Sequence, residues 1–226
     1  MTKLVIIGAG EFADIAHEYF TVDSDFDVVG FAVEAQYLDA TERHGLPVLS
    51  LEELESHFPA GDHHAFVAIT NTRHNRVRER LVHQVRGMGY TLASFISPHA
   101  FVWRTAKLGE NVFIFENNVI QHGVEIGDGC VLWSGNHIGH QSRIDPFCFL
   151  SSHVVVSGYC RIGARCFLGV NSTLADSVTL AEDCLIGLGT VVGKSIEQAG
   201  AMVTGHPAQV SKVSTYRFFK LEKPAT

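Results

Sequence analysis

Every sixth residue from Ile96 to Val192 is isoleucine, leucine or valine. The series runs Ile96, Val102, Leu108, Ile114, Ile120, Ile126, Leu132, Ile138, Ile144, Leu150, Val156, Ile162, Leu168, Leu174, Leu180, Ile186 and Val192, without an insertion. These three residue types are only 55 of the 226 residues, so chance would produce such a run less than about once in a million chains. A period of six is neither the 3.6 of an α-helix nor the 2 of a half-buried strand. It is the period of a parallel β-helix in which each face takes one hexapeptide. Three faces make an 18-residue coil, and coils stack about 4.8 Å apart, which predicts about five coils and a prism roughly 25 Å tall. Glycine follows the aliphatic residue at 109, 127, 139, 163, 169, 187 and 193, and the reading is a tight corner after each short strand.

The five cysteines fall into the same frame. Cys130, Cys148, Cys160, Cys166 and Cys184 each stand two residues before a repeat aliphatic, where an inward-facing column takes a small apolar side chain. They read as packing residues, not as a disulfide framework.

Residues 1–95 follow another grammar. Short apolar runs at Leu4–Ile7, Val28–Val33 and Ala65–Ile69 alternate with helical patterns at Glu11–Phe20, Leu51–Phe58 and Arg73–Val85. Alternating strands and helices predict a parallel sheet covered by helices. The fold class is therefore a small Rossmann-like α/β domain (residues 1–95) followed by a β-helix (96–195) and a C-terminal cap or tail (196–226). That tail holds Gly205-His206-Pro207, Tyr216, Phe218 and Phe219, and is expected to cap the last coil or lie against a neighbouring subunit.

Composition narrows the ligand. With 17 Lys and Arg against 24 Asp and Glu, the net charge is −7, a poor balance for wrapping nucleic acid or lying on an anionic membrane. No run of about 18 apolar residues predicts a membrane span, and the N-terminus lacks the layout of a signal peptide, so a cytoplasmic protein acting on small molecules is expected.

Two sets of residues carry chemistry. The turn Gly8-Ala9-Gly10 between the first strand and helix begins a G-x-G-x-x-A pattern, in which glycines let the backbone approach a phosphate at a helix N-terminus. Glu34 ends the second strand, where an acid meets a ribose hydroxyl. Ninety-five residues are too few for a two-half dinucleotide domain, so a nucleotide-linked ligand fits better than NAD. The second set is His122, His137, His140 and His153. His140 is two residues past Ile138 and should face outward at a corner, with His122 one coil beneath it. Histidine is the usual proton acceptor near neutral pH. No two histidines have the spacing that zinc-binding β-helix hydrolases use, and no metal is expected.

The glycine loop followed by a hexapeptide β-helix, with Asn136-His-Ile-Gly-His140, Ser152-His153-Val154 and Phe167-Leu-Gly-Val-Asn171, resembles the bacterial sugar acyltransferases of the PglD/NeuD type. These acetylate amino sugars carried on a nucleotide, or hydroxyls of sialic acid, for surface glycans. The resemblance implies a left-handed β-helix, a homotrimer, and acetyl-CoA as co-substrate in a groove between adjacent β-helices. It implies that the N-terminal domain holds a nucleotide-linked amino sugar. By position it makes His140 the catalytic base, assigns Gly8, Gly10, Glu11, Phe12, Glu34, Thr70, Asn75 and Arg78 to the nucleotide sugar, and places Phe149, Val170 and Leu188 along CoA. Its mechanism is direct transfer, with a backbone N–H stabilising the developing oxyanion. O-acetylation of a sugar hydroxyl, or transfer of a different acyl group, is the alternative. This chain departs from the pattern at Gln141, where a glutamate is usual, so that Asp145, Glu116 or no acid would polarise His140. It departs again at Phe149, in place of a histidine, and at Phe31-Ala32-Val33-Glu34, which lacks paired acids.

Overall fold

The computed structural model describes residues 1–205. The expected tail from His206 onward, with Tyr216, Phe218 and Phe219, lies outside the described residues. The N-terminal unit contains β1 (Thr2–Ile7), α1 (Glu11–Asp23), β2 (Phe26–Val33), β3 (Glu42–Arg43), β4 (Leu46–Ser50), α2 (Leu54–His57), β5 (His63–Val67), α3 (Arg76–Gly87) and β6 (Thr91–Leu92). Its sheet has the order β3-β4-β2-β1-β5-β6, parallel throughout except for the β3–β4 hairpin. β1 lies between β2 and β5, so the loop after Ile7 opens at the point where the strand order reverses. β4 has no counterpart in the sequence reading, because Pro47 interrupts its apolar run, and Pro is accommodated there beside the edge hairpin. α3 begins three residues later than its apolar pattern suggests, because Arg73, His74 and Asn75 all adopt left-handed backbone (φ 48°, 52° and 67°).

From Phe95 the chain winds as a left-handed parallel β-helix of two-residue strands on three faces of seven, six and five strands. Residue i pairs with i+18 on every face, as in Phe113 with Val131 and His137 with Val155. The pairing continues past residue 195 to Met202–Val203, which joins Leu185–Ile186. The repeat aliphatics from Ile114 to Val192 are buried in one cluster with all five cysteines. The cysteines are unpaired, and Cys130, Cys148 and Cys166 each donate their S–H to a carbonyl of the next corner (3.2–3.3 Å). Burial lifts the Cys148 thiol well above its ordinary pKa, the opposite of what a nucleophile requires.

The corners differ from the sequence reading in one respect. Positive φ belongs to the residue three places after each aliphatic, in an unbroken series of step six from Asn111 to Gly189 that includes Gln141, Phe147, Tyr159 and Arg165. The glycines that directly follow the aliphatics answer a different need. A Cβ on Gly127 would lie 2.6 Å from the Pro146 nitrogen, and one on Gly139 2.5 Å from the Ser157 carbonyl carbon. They allow one coil to sit on the next.

The first face turns an aromatic row outward, and the N-terminal unit covers it. Phe95, Phe113, Phe115, Val131 and Phe149 share a buried cluster with Leu4, Ile6, Phe12 and Phe20. Ring centroids of Phe12 and Phe113 lie 5.3 Å apart, those of Phe20 and Phe95 5.4 Å, and those of Phe95 and Phe113 4.8 Å. The third face instead turns Lys107, Glu125, Arg143 and Arg161 outward, and the middle face is apolar and open at Phe101, Val155 and Val191.

Leu150→Ala empties a site with no room to collapse and should cost about 2–5 kcal/mol, read by urea unfolding. Phe113→Ala should cost about 3–5 kcal/mol and uncouple the two units, giving two transitions in place of one. Reductant should leave the melting temperature unchanged.

Candidate functional site

A cavity of about 970 Å³ opens at the carboxyl ends of β1, β2 and β5. Its walls include Gly8, Gly10, Glu34, Tyr37, Arg73 and Arg80. The two glycines do different things. Gly8 is demanded by the fold: its φ is 131°, and a Cβ would lie 2.8 Å from the Ala68 carbonyl oxygen. Gly10 has ordinary extended backbone as the N-cap of α1 (φ −90°), and nothing lies within 4 Å of a Cβ placed there. Its missing side chain therefore keeps space open above the first N–H groups of α1, where an anion is stabilised.

Charge in this cavity is arranged along α3. Glu34 is held at the rim by Arg80 (2.8 Å), and Arg76 is paired with Asp183 (3.0 Å). Arg73 makes no ion pair among the described residues and lines the same cavity as the start of α1. Arg76 and Arg80 stand one helical turn apart on α3, a spacing present in the sequence that the assignment of Asn75 and Arg78 passed over, and Arg73 joins them from the left-handed segment before the helix.

A second cavity of about 250 Å³ shares Gly10, Ile69 and Thr72 with the first and is completed by Glu11, Phe12, Thr70 and Trp133. Trp133 comes from the β-helix and lies flat on Phe115 (centroids 4.5 Å apart). The two cavities thus lead from the sheet end to the solenoid wall. Gly8, Gly10, Glu11, Phe12, Glu34 and Thr70 all line one or both, whereas Trp133 was missed because an indole on a solenoid corner has no sequence signature.

Asn75 and Arg78 are not available to a ligand, contrary to the sequence reading. Both are completely buried. Arg78 donates to the carbonyls of Gly129 (2.7 Å), Ile69 (3.1 Å), Thr70, Phe147 (3.0 Å) and Cys148 (3.2 Å), and to Asn75 Oδ1 (3.1 Å). Burial without a carboxylate partner draws its pKa down from 12.5 to about 10, so the guanidinium remains charged at neutral pH. These bonds belong to a seam. Asn111, Gly129, Phe147, Arg165 and Asp183 are left-handed corner residues spaced by 18, and the N-terminal unit touches each. Val67 donates its N–H to Asn111 Oδ1 (2.7 Å), Asn75 Nδ2 donates to Arg165 O (3.0 Å), and His74 Nε2 donates to Asp183 O (3.0 Å).

His140 is exposed, as expected, at the corner between the middle and third faces. Gln121, one coil below, accepts from the His140 backbone N–H through Oε1 (2.9 Å), and the same oxygen lies 3.4 Å from Nδ1. An amide oxygen only accepts, so Nδ1 carries the proton and Nε2 presents the lone pair. The ring lies over Gly158, where a Cβ would come within 2.6 Å of Cε1, and meets Tyr159 edge-on with centroids 5.0 Å apart. The acids considered for His140 are occupied elsewhere: Asp145 binds Arg143 (2.7 Å), and Glu116 accepts from Tyr19 (3.1 Å) and Ser134 (2.5 Å). The Gln141 side chain lies against Gly123. A neutral amide therefore orients this histidine.

Of the three residues expected along CoA, Val170 and Leu188 are exposed and stacked one coil apart at the corner after the first face, with Gly189 donating to Val170 O (2.8 Å). Phe149 is not exposed with them: it is buried in the seam and stacked on Phe167 (5.4 Å), because an aromatic ring in that outward column joins the cluster under the N-terminal unit. His140 lines neither cavity. Among the described residues, no group of three or more His, Cys, Asp or Glu is arranged to hold a metal ion, and no helix is long and apolar enough to cross a membrane.

Comparison with known proteins adds the following. Residues 3–85 match the PglD N-terminal domain, residues 105–140 the bacterial transferase hexapeptide (six repeats), and residues 159–194 the hexapeptide repeat of succinyl-transferase. No curated protein matches the chain in sequence. Among solved structures, a histidine-to-asparagine variant of perosamine N-acetyltransferase from Caulobacter crescentus, in complex with CoA and GDP-perosamine, is 28% identical with a TM-score of 0.79, covering 92% of this chain and 96% of that one. The acetyltransferase domain of PglB from Neisseria gonorrhoeae FA1090 is 24% identical with a TM-score of 0.80, covering 92% and 99%. WeeI from Acinetobacter baumannii AYE is 22% identical with a TM-score of 0.77, covering 92% and 99%. The last two likenesses establish the shared fold.

Gly158→Ala should displace the imidazole of His140. The expected outcome is a shifted Cε1–H resonance for that histidine in the NMR spectrum with a melting temperature close to that of the parent; an unmoved resonance would mean that the ring does not rest on Gly158.

Proposed function

We propose that this chain, one of the PglD-type hexapeptide acyltransferases, transfers acetyl from acetyl-CoA to the amine of a nucleotide-linked deoxyamino sugar, with His140 as general base. The observation that carries the reading is the continuous pair of cavities from the Gly8–Gly10 loop to Trp133. The first has the volume and the cationic wall for a nucleoside diphosphate. The second is mainly apolar, with Phe12, Ile15, Ala68, Ile69 and Trp133 beside the hydroxyls of Thr70 and Thr72, which suits a sugar that has lost a hydroxyl. The Caulobacter enzyme, bound to CoA and GDP-perosamine, supports the same pairing of substrates.

Each residue then has a task. The N–H groups at the start of α1 and the Arg73 guanidinium hold the diphosphate, and Glu34, fixed by Arg80, accepts hydrogen bonds from the nucleoside. Val170 and Leu188 lie along the pantetheine of acetyl-CoA. His140 Nε2 removes a proton from the amine as nitrogen bonds to the thioester carbonyl carbon, and returns it to sulfur as the carbon–sulfur bond breaks. Nothing becomes acylated on the protein, in keeping with the inward cysteines. Gln121 orients the imidazole without a carboxylate, and an amine, the better nucleophile, asks less of the base than a hydroxyl.

The separation of His140 from the cavities within one chain supports a homotrimer in which a neighbouring copy completes the site. The open apolar column Phe101, Val155 and Val191 on the middle face is the surface such a contact would cover.

Thiol release should be measured with acetyl-CoA and a panel of UDP-, GDP- and dTDP-linked amino sugars and free sialic acid. Release with a nucleotide amino sugar, lowered about 10²–10⁴-fold in His140→Asn at unchanged melting temperature, is expected. Release with hydroxyl acceptors alone would transfer the protein to O-acetylation, and full turnover in His140→Asn would remove the base from the mechanism. Val155→Glu should shift the sedimentation coefficient from trimer to monomer and abolish turnover; a variant that stays trimeric would place the interface elsewhere.

A further inference from the structure

The seam also stands behind one wall of the second cavity. Ile69, Thr70 and Thr72 line that cavity, and Arg78 accounts for the position of the first two by binding both their carbonyls. The same guanidinium binds Gly129, Phe147 and Cys148 on two successive coils of the β-helix. The loop it fixes is conformationally expensive. Arg73, His74 and Asn75 are three consecutive non-glycine residues in left-handed backbone, and such a run persists only when its surroundings over-determine it. Here they do, through Asn75 to Arg165 O, His74 to Asp183 O and Arg76 to Asp183. A fully buried cation without a carboxylate is itself unfavourable before its carbonyl partners are counted, and an apolar side chain would hold two units together without that cost. What an apolar contact would lack is direction: a planar guanidinium fixes the angles of every carbonyl it binds.

We infer that Arg78 is a positioning residue for the sugar substrate, which it never touches: it sets the Ile69–Thr72 wall at a fixed register against Trp133. The inference rests on the proposed use of this cavity for the nucleotide sugar. The β-helix coils that Arg78 grips are continuous with the coil that carries Trp133, so the wall that orients the sugar is referenced to the solenoid wall it faces. Lysine in its place could not span the two coils and the loop together.

The test compares the full-length protein with Arg78→Lys and, as a second route should that variant fold poorly, Asn75→Ala, which removes one guanidinium acceptor and the bond to Arg165. Both are studied in a Trp103→Phe background, so that Trp133 is the only tryptophan and its fluorescence reports on the cavity without any substrate. Below the melting transition, the expected result is a KM for the nucleotide sugar raised about tenfold or more, with the KM for acetyl-CoA within about twofold of the parent, since small misplacements of a bound substrate carry large penalties. Trp133 emission should shift to the red and become more accessible to acrylamide. A lowered melting temperature with both KM values and the Trp133 emission unchanged would overturn the inference and leave Arg78 as a fastener alone. A parallel rise in both KM values would overturn it as well. If the parent shows no acetyl transfer to any nucleotide sugar, the functional reading fails, while the Trp133 measurement still decides whether Arg78 sets the cavity wall.

Discussion

The stacking of residue i on residue i+18, held by backbone hydrogen bonds from the N–H of residue i to the carbonyl of residue i+17, is the constraint on which the rest of this protein depends. Each two-residue strand is too short to hold a face by itself, so the faces exist only because coils stack at strand spacing and share one aliphatic interior. Stacking at that distance forbids a Cβ at Gly127 and Gly139, requires left-handed backbone at the corners from Asn111 to Gly189, and turns any residue type that recurs at step 18 into a column. The columns then divide the labour. One is filled by buried thiols, one by aromatic rings that receive the N-terminal unit, one by charged side chains, and one by corner residues with carbonyls available for docking.

The join between the two units uses two of these columns in different ways. The aromatic row of Phe95 and Phe113 against Phe12 and Phe20 supplies apolar area and edge-to-face contacts, which attract without specifying register. The corner column from Asn111 to Asp183 supplies directed hydrogen bonds to Val67, His74, Asn75 and Arg78, which specify register at the expense of burying polar groups. Together they fix where the mouth of the α/β sheet lies relative to Trp133. That placement, more than any single side chain, joins the cavity at the glycine loop to the one at the solenoid wall.

His140 illustrates how local chemistry follows from the same stacking. Its partner Gln121 is the residue one coil and one place earlier, and its ring bed is Gly158, one coil later. The tautomer is therefore set by the repeat geometry. The side chain that meets Nδ1 is thus a neutral amide, placed there by the coil spacing alone.

Much of this was legible in the residues themselves. A strict period of six has one structural solution, so the solenoid, the inward cysteines and the outward corner position of His140 follow from spacing alone, and the Gly8-Ala9-Gly10 turn announces the sheet mouth because only backbone can approach a phosphate so closely. The sequence could not reveal which polar residues face the ligand. Asn75 and Arg78 look like ligand contacts because charged side chains are normally solvated, and only the folded chain surrounds them with carbonyls. Phe149 looks like a groove residue until the N-terminal unit covers its column. Trp133, Gln121 and Tyr159 belong to the site through contacts across coils. Periodicity is a local property and is written in the order of residues, whereas the contents of a site depend on which surfaces meet, and that is decided only when the two units dock.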